Sequence, residues 1–167
     1  MTATAAVRTA AATNPPHLRP RRKAGIRSEE SGKPKYKPMD NFGFLKVAAA
    51  VPHVRVGDCD FNTERIAAMA EEAAQRGVEI VAFPELAVTA YTCADLLLQP
   101  ALLDAADEAL ARLVKATRKL PLVIIAGAPL RHGSTLYNCA VVFTQGRVLG
   151  VVPKTYIPDY TEFYENR

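Results

Sequence analysis

Two residues stand where a side chain could do chemistry. Glu85 follows Phe83-Pro84 at the end of an apolar run, and Lys154 is held between Pro153 and Pro158 at the end of another. Proline removes a ladder donor and turns the chain out of a sheet. A carboxylate delivered there is partly desolvated, which suits it to general base work. A cation on a rigid extended segment can meet the negative charge that develops on a carbonyl oxygen under attack. Taken alone, each residue reads first as something plainer: Glu85 as a helix-capping or surface carboxylate, Lys154 as an exposed lysine. The thiols Cys59, Cys93 and Cys139 are odd in number and widely spaced, with no Cys-x-x-Cys and no His at metal-ligand spacing. That pattern points to a reducing, cytoplasmic setting without a disulfide framework and without a metal.

The elements that must carry these residues follow from periodicity. Residues 45–51, 78–83 and 122–128 are short, nearly all-apolar runs, as expected of strands buried on both faces. Between them, 62–76 and 101–119 repeat apolar residues at helical spacing, with Gly77 placed to cap the first helix and Glu108 placed to pair with Arg112 on the second. Then 136–144 and 147–152 read as strands joined through Gln145-Gly146, after a turn at 131–134. Cys139 falls inside a strand, Cys93 opens a short helix after the Glu85 loop, and Cys59 lies in a loop before the first helix. The order strand, helix, strand, helix, strand, strand, strand argues an α/β layered fold in which sites gather at the carboxyl ends of strands.

Composition bounds the rest. The 167 residues are 49% hydrophobic and 23% charged, the mix of a globular chain, and no apolar run is long enough to span a bilayer. The net charge of +4 is unevenly placed. Residues 1–38 hold nine Lys or Arg against two Glu, whereas 39–167 hold 12 basic and 15 acidic residues. The basic cluster lies in a Pro-rich segment poor in large apolar side chains, so it reads as a disordered leader and not as a nucleic-acid surface. An organelle transit peptide, or translation from Met39, are the other readings of that segment.

The motifs together resemble the nitrilase or carbon–nitrogen hydrolase superfamily, and within it the glutaminase domain of glutamine-dependent NAD synthetases. The resemblance runs from Phe44 to Arg167. It is carried by Phe-Pro-Glu-Leu-Ala-Val-Thr-Ala-Tyr (83–91), Ala-Asp-Leu-Leu-Leu-Gln (94–99), Gly-Ala-Pro-Leu-Arg-His (127–132) and Leu-Tyr-Asn-Cys-Ala-Val-Val (136–142). Most specific are Val-Leu-Gly-Val-Val-Pro-Lys-Thr-Tyr-Ile-Pro (148–158) and the block Tyr-Thr-Glu-Phe-Tyr-Glu-Asn-Arg (160–167).

The resemblance implies a Glu–Lys–Cys triad with Glu85 as general base and Lys154 stabilising the tetrahedral intermediate. It places Tyr160 and Phe163 in the glutamine pocket, Tyr91 near the ammonia exit, and Glu165 beside the lysine as its support. The family nucleophile comes downstream of the lysine, and no cysteine follows Lys154. The chain therefore reads as the amino-terminal half of an α-β-β-α sandwich, residues 39–167, lacking the thiol and inactive by itself. L-Glutamine is the implied substrate. The amidase half needs no cofactor, and ATP and deamido-NAD belong to a synthetase domain that is absent. A homo-oligomer is implied for the complete enzyme, with no nucleic-acid or membrane partner. A non-catalytic remnant that associates with an intact copy, or another amidase of the superfamily, are the alternatives.

Overall fold

The computed structural model describes residues 43–160 and 163–164; the proposed leader, its boundary at Met39, and Glu165 lie outside the described residues. Among the described residues the main sheet has five strands in the order β1 (Val47–Ala49), β2 (Ile80–Ala82), β3 (Val123–His132), β4 (Thr135–Thr144), β5 (Arg147–Pro153). The first three strands are parallel, and β4 is antiparallel to both β3 and β5. A separate two-stranded ribbon pairs β6 (Asp159–Tyr160) with β7 (Phe163–Tyr164). This direction pattern has a functional consequence: β2, β3 and β5 all run the same way, so their carboxyl ends share one edge of the sheet.

The crossovers are the two helices, α1 (Cys59–Gln75) and α2 (Pro100–Ala116). The first starts three residues earlier than periodicity alone suggests, because Asp58 caps it by accepting a hydrogen bond from the Phe61 N–H at 3.1 Å. Cys59 is therefore the first residue of the helix and not part of the preceding loop. Gly77, at φ +72°, turns the chain out as expected. Pro100 opens α2, where its missing N–H costs nothing. Arg112 of α2 lies 3.6 Å from Glu108 and also pairs with Asp60 of α1, so the anticipated helix pair also links the two helices.

The core sits between the helices and one face of the sheet. Ile66, Ala70, Ala73 and Ala74 of α1 and Ala106, Ala109, Leu110 and Leu113 of α2 meet Val81, Ile124, Ala126, Ala128, Val141 and Phe143. The many alanines let the helices lie close to the sheet. On the opposite face Ile80, Ile125 and Val142 are half-buried, and β5 is exposed along its whole length.

A buried asparagine fastens the loops at the carboxyl edge. Asn62 is fully buried; its Nδ2 donates to the Arg55 carbonyl (2.8 Å) and the Val88 carbonyl (3.0 Å), and its Oδ1 accepts from the Arg55 N–H (2.7 Å). One side chain thus joins α1 to the loops that follow β1 and β2. Asn62→Ala leaves those backbone groups without partners and should lower stability by about 2–3 kcal/mol, read as a lower urea midpoint with an unchanged denaturant slope.

Candidate active site

Glu85 sits in a tight elbow directly after β2. The elbow is closed by Ala87 N–H to Pro84 O (3.2 Å) and Thr89 N–H to Leu86 O (3.1 Å), and fastened to β3 by Val88 N–H to Gly127 O (3.1 Å). Its backbone is strained: Leu86 has φ +51° and Ala90 has φ +70°, and Ala94 just beyond has φ +47°. Non-glycine residues in that region each cost on the order of 1–3 kcal/mol and persist where the surroundings over-determine them. Here the surroundings are Asn62 on Val88 and a double contact on Thr89, whose carbonyl accepts from Gly57 N–H (2.9 Å) and the Cys93 thiol (2.8 Å).

Gly127 makes the elbow possible. A Cβ there would lie 2.3 Å from the Leu86 nitrogen, 2.5 Å from the Pro84 oxygen and 2.8 Å from the Glu85 carbonyl carbon. All three are backbone atoms that cannot swing aside, so only glycine lets β3 support the elbow at this distance.

Lys154 enters from the other side. It follows Pro153, the last residue of β5, and its backbone N–H extends the ladder by one step onto the Asn138 carbonyl of β4 at 2.8 Å. Its Nζ lies 2.7 Å from Oε1 of Glu85. The two residues identified from sequence are therefore brought together at the shared carboxyl edge. Their side chains are 27% and 39% exposed, which leaves the pair open to an approaching molecule. Asn138 completes the cluster: its Nδ2 also donates to Oε1 of Glu85. Sequence reasoning missed Asn138 and Gly127. The first lies mid-strand with its partner 53 positions away, and the second shows its value only in the packing; both fall within motif blocks already noted, which was the available signal.

Tyr91 begins the 3-10 segment Tyr91–Leu98 and is exposed. Tyr160 and Phe163 are register partners in the β6–β7 ribbon. Glu165 lies outside the described residues.

All three thiols are buried. Burial pushes each above the ordinary thiol range, Cys59 to about 11, where Cys93, Asp60 and Asp58 add to the effect. The α1 N-terminus, which favours a thiolate, is outweighed. Cys139 shares a face of β4 with Val141 and Phe143, whereas Asn138 points to the other face, as strand alternation requires. These are packing thiols, in the protonated form at neutral pH. Among the described residues no cluster of three His, Cys, Asp or Glu could hold a metal.

Two outcomes follow. Gly127→Ala should cost about 1–3 kcal/mol by overpacking and lower the urea midpoint, while Gly150→Ala, whose new Cβ meets nothing within 4 Å, leaves it near wild type. The Cys59 thiol is held protonated in the fold, so its contribution to stability is complete below pH 9.0 and is lost as pH rises toward about 11. Urea titrations of Cys59→Ala across that window should show a shallower alkaline loss than wild type.

The fold agrees with that of known proteins. The pattern of the carbon-nitrogen hydrolase family matches residues 46–165. The glutamine-dependent NAD(+) synthetase of Mycobacterium tuberculosis is 46% identical over 125 residues, covering 75% of this chain and 18% of that protein. The glutamine-dependent NAD(+) synthetase structure from Cytophaga hutchinsonii superposes with a TM-score of 0.68 at 27% identity, over 72% of this chain and 20% of the other. An amidase structure from Nesterenkonia shares the fold alone, with a TM-score of 0.59 at 22% identity over 70% of this chain and 44% of the other. The chain thus spans about a fifth of the length of the synthetases it matches. With a glutamate and a lysine joined at the carboxyl edge of an α/β sheet, and the family pattern running across both, this chain belongs to the carbon-nitrogen hydrolase family of enzymes.

Proposed function

We propose that these residues form the acid–base half of a glutamine amidohydrolase site that supplies ammonia to a glutamine-dependent NAD synthetase. The observation that carries this reading is the 2.7 Å contact between Lys154 Nζ and Glu85 Oε1 at the open edge of the sheet. In the proposed reaction Glu85 takes the proton of a cysteine thiol as the sulfur attacks the side-chain amide carbon of glutamine. The Lys154 ammonium meets the oxyanion. The carbon–nitrogen bond then breaks, the proton held by Glu85 passes to the leaving nitrogen, and ammonia departs. Water, deprotonated by Glu85, hydrolyses the glutamyl thioester and returns the thiol.

The thiol in this scheme is none of Cys59, Cys93 and Cys139, since all three are buried in packing positions. It comes from a segment other than these 167 residues, and the chain by itself does not turn glutamine over. Tyr160 and Phe163 line the glutamine pocket, Tyr91 stands near the ammonia exit, and Glu165 supports Lys154. Amide hydrolysis in this scheme uses side chains and water alone. ATP and deamido-NAD react in the synthetase domain, and the complete enzyme assembles as a homo-oligomer.

A chimera tests the reading. Residues 46–165 replace the matched segment of the Mycobacterium tuberculosis synthetase, which supplies the remainder of the site. Ammonia release from glutamine is expected in the chimera, with Glu85→Ala and Lys154→Ala each lowering it by at least about 10²-fold, and none is expected from the 167-residue chain. Retained activity in either variant, turnover by the chain alone, or a kinetic preference for a nitrile or carbamoyl substrate over glutamine would each contradict it.

A further inference from the structure

We propose that Asn138 is a positioning residue that gives the two oxygens of Glu85 different tasks: with Lys154 it pins Oε1, and so leaves Oε2 to carry the proton. The inference rests on the general-base reading of Glu85 above. A carboxylate oxygen has two lone pairs. On Oε1 both are engaged, one by Lys154 Nζ and one by Asn138 Nδ2. Among the described residues none donates to Oε2. A proton arriving at Glu85 therefore goes to Oε2, on the side of the carboxyl group that the pinning donors do not occupy.

The side chain suits the task. An amide nitrogen facing a carboxylate must be the NH2 group, since the reverse orientation would set two acceptors together. Unlike an aspartate it brings no negative charge of its own against Glu85, and its NH2 group donates whatever the pH. Its backbone is held from both neighbours in the sheet: Asn138 is the register partner of Pro129 in β3, and its carbonyl accepts the Lys154 N–H at 2.8 Å. One residue thus sets the Glu85 carboxyl through its side chain and the Lys154 backbone through its main chain. Pro129 lies two positions beyond Gly127, the support of the elbow, so Gly127 and Asn138, which both place Glu85, share one stretch of β3 and β4.

The test is an NMR acid titration of the whole 167-residue chain, labelled with 15N throughout and with 13C at the glutamate side-chain carboxyls. One Asn138 Nδ2 proton should resonate at low field and exchange slowly. As Glu85 is protonated it should move to higher field in step with the Glu85 carboxyl signal, yet remain split from its partner and protected. Glu85→Ala should remove the low-field shift. An Asn138 amide that resembles an exposed asparagine throughout, or that ignores the Glu85 titration, overturns the proposal. Collapse of the split amide on acidification places the proton on Oε1 and overturns the division of tasks. The wild-type titration decides the matter even if the variant does not fold. These readouts report on the contact, whereas glutaminase activity of the chimera reports on the base role, so failure of one is distinguishable from failure of the other.

Discussion

Lys154 and Glu85 are 69 positions apart in sequence and 2.7 Å apart in space. Closing a loop of that length costs about 4 kcal/mol in its length-dependent part. A partly exposed ion pair returns roughly 0–1 kcal/mol. The pair therefore does not hold the sheet together; the sheet holds the pair. The recovery comes from the buried layer of Ile66, Val81, Leu113, Ile124, Val141 and Phe143, and from the long β3–β4 and β4–β5 ladders. A pair assembled in this way is set in advance by the fold, as the proposed stabilisation of a developing charge requires.

The same logic explains where strain is tolerated. The elbow after β2 holds Leu86 and Ala90 at positive φ because Asn62, Gly57 and Gly127 fix it from three directions. Removing strain would make the loop easier to form and less determined in position. The thiols obey the opposite rule. Cys93 and Cys59 are packed among these loops and kept protonated by burial, so they add contacts near the site without adding a nucleophile.

Much of this was legible in the sequence, and for identifiable reasons. Alternation between apolar runs and helical spacing revealed the order of the first seven main elements, because buried parallel strands and amphipathic helices differ in period. The two proline-bounded ends marked Glu85 and Lys154. What stayed hidden depended on contacts between distant residues. Asn138 looks like any strand residue until β4 is laid beside the elbow, and Gly127 looks like any glycine until a Cβ is placed on it. The start of α1 was missed because the cap is a single aspartate, Asp58. The strand β3 runs to His132, so the turn expected over 131–134 shrinks to Gly133-Ser134; Gly133, at φ +61°, makes the sharper reversal possible.

The fold itself holds one carboxylate and one ammonium together at the carboxyl edge. An isotope-edited NMR distance measurement between Lys154 Nζ and the Glu85 carboxyl, on the 167-residue chain at neutral pH, is the decisive test. A persistent contact at hydrogen-bond range is expected, consistent with 2.7 Å between Nζ and Oε1. A Lys154 Nζ found beyond about 4 Å from both carboxyl oxygens, with the sheet intact, would contradict it.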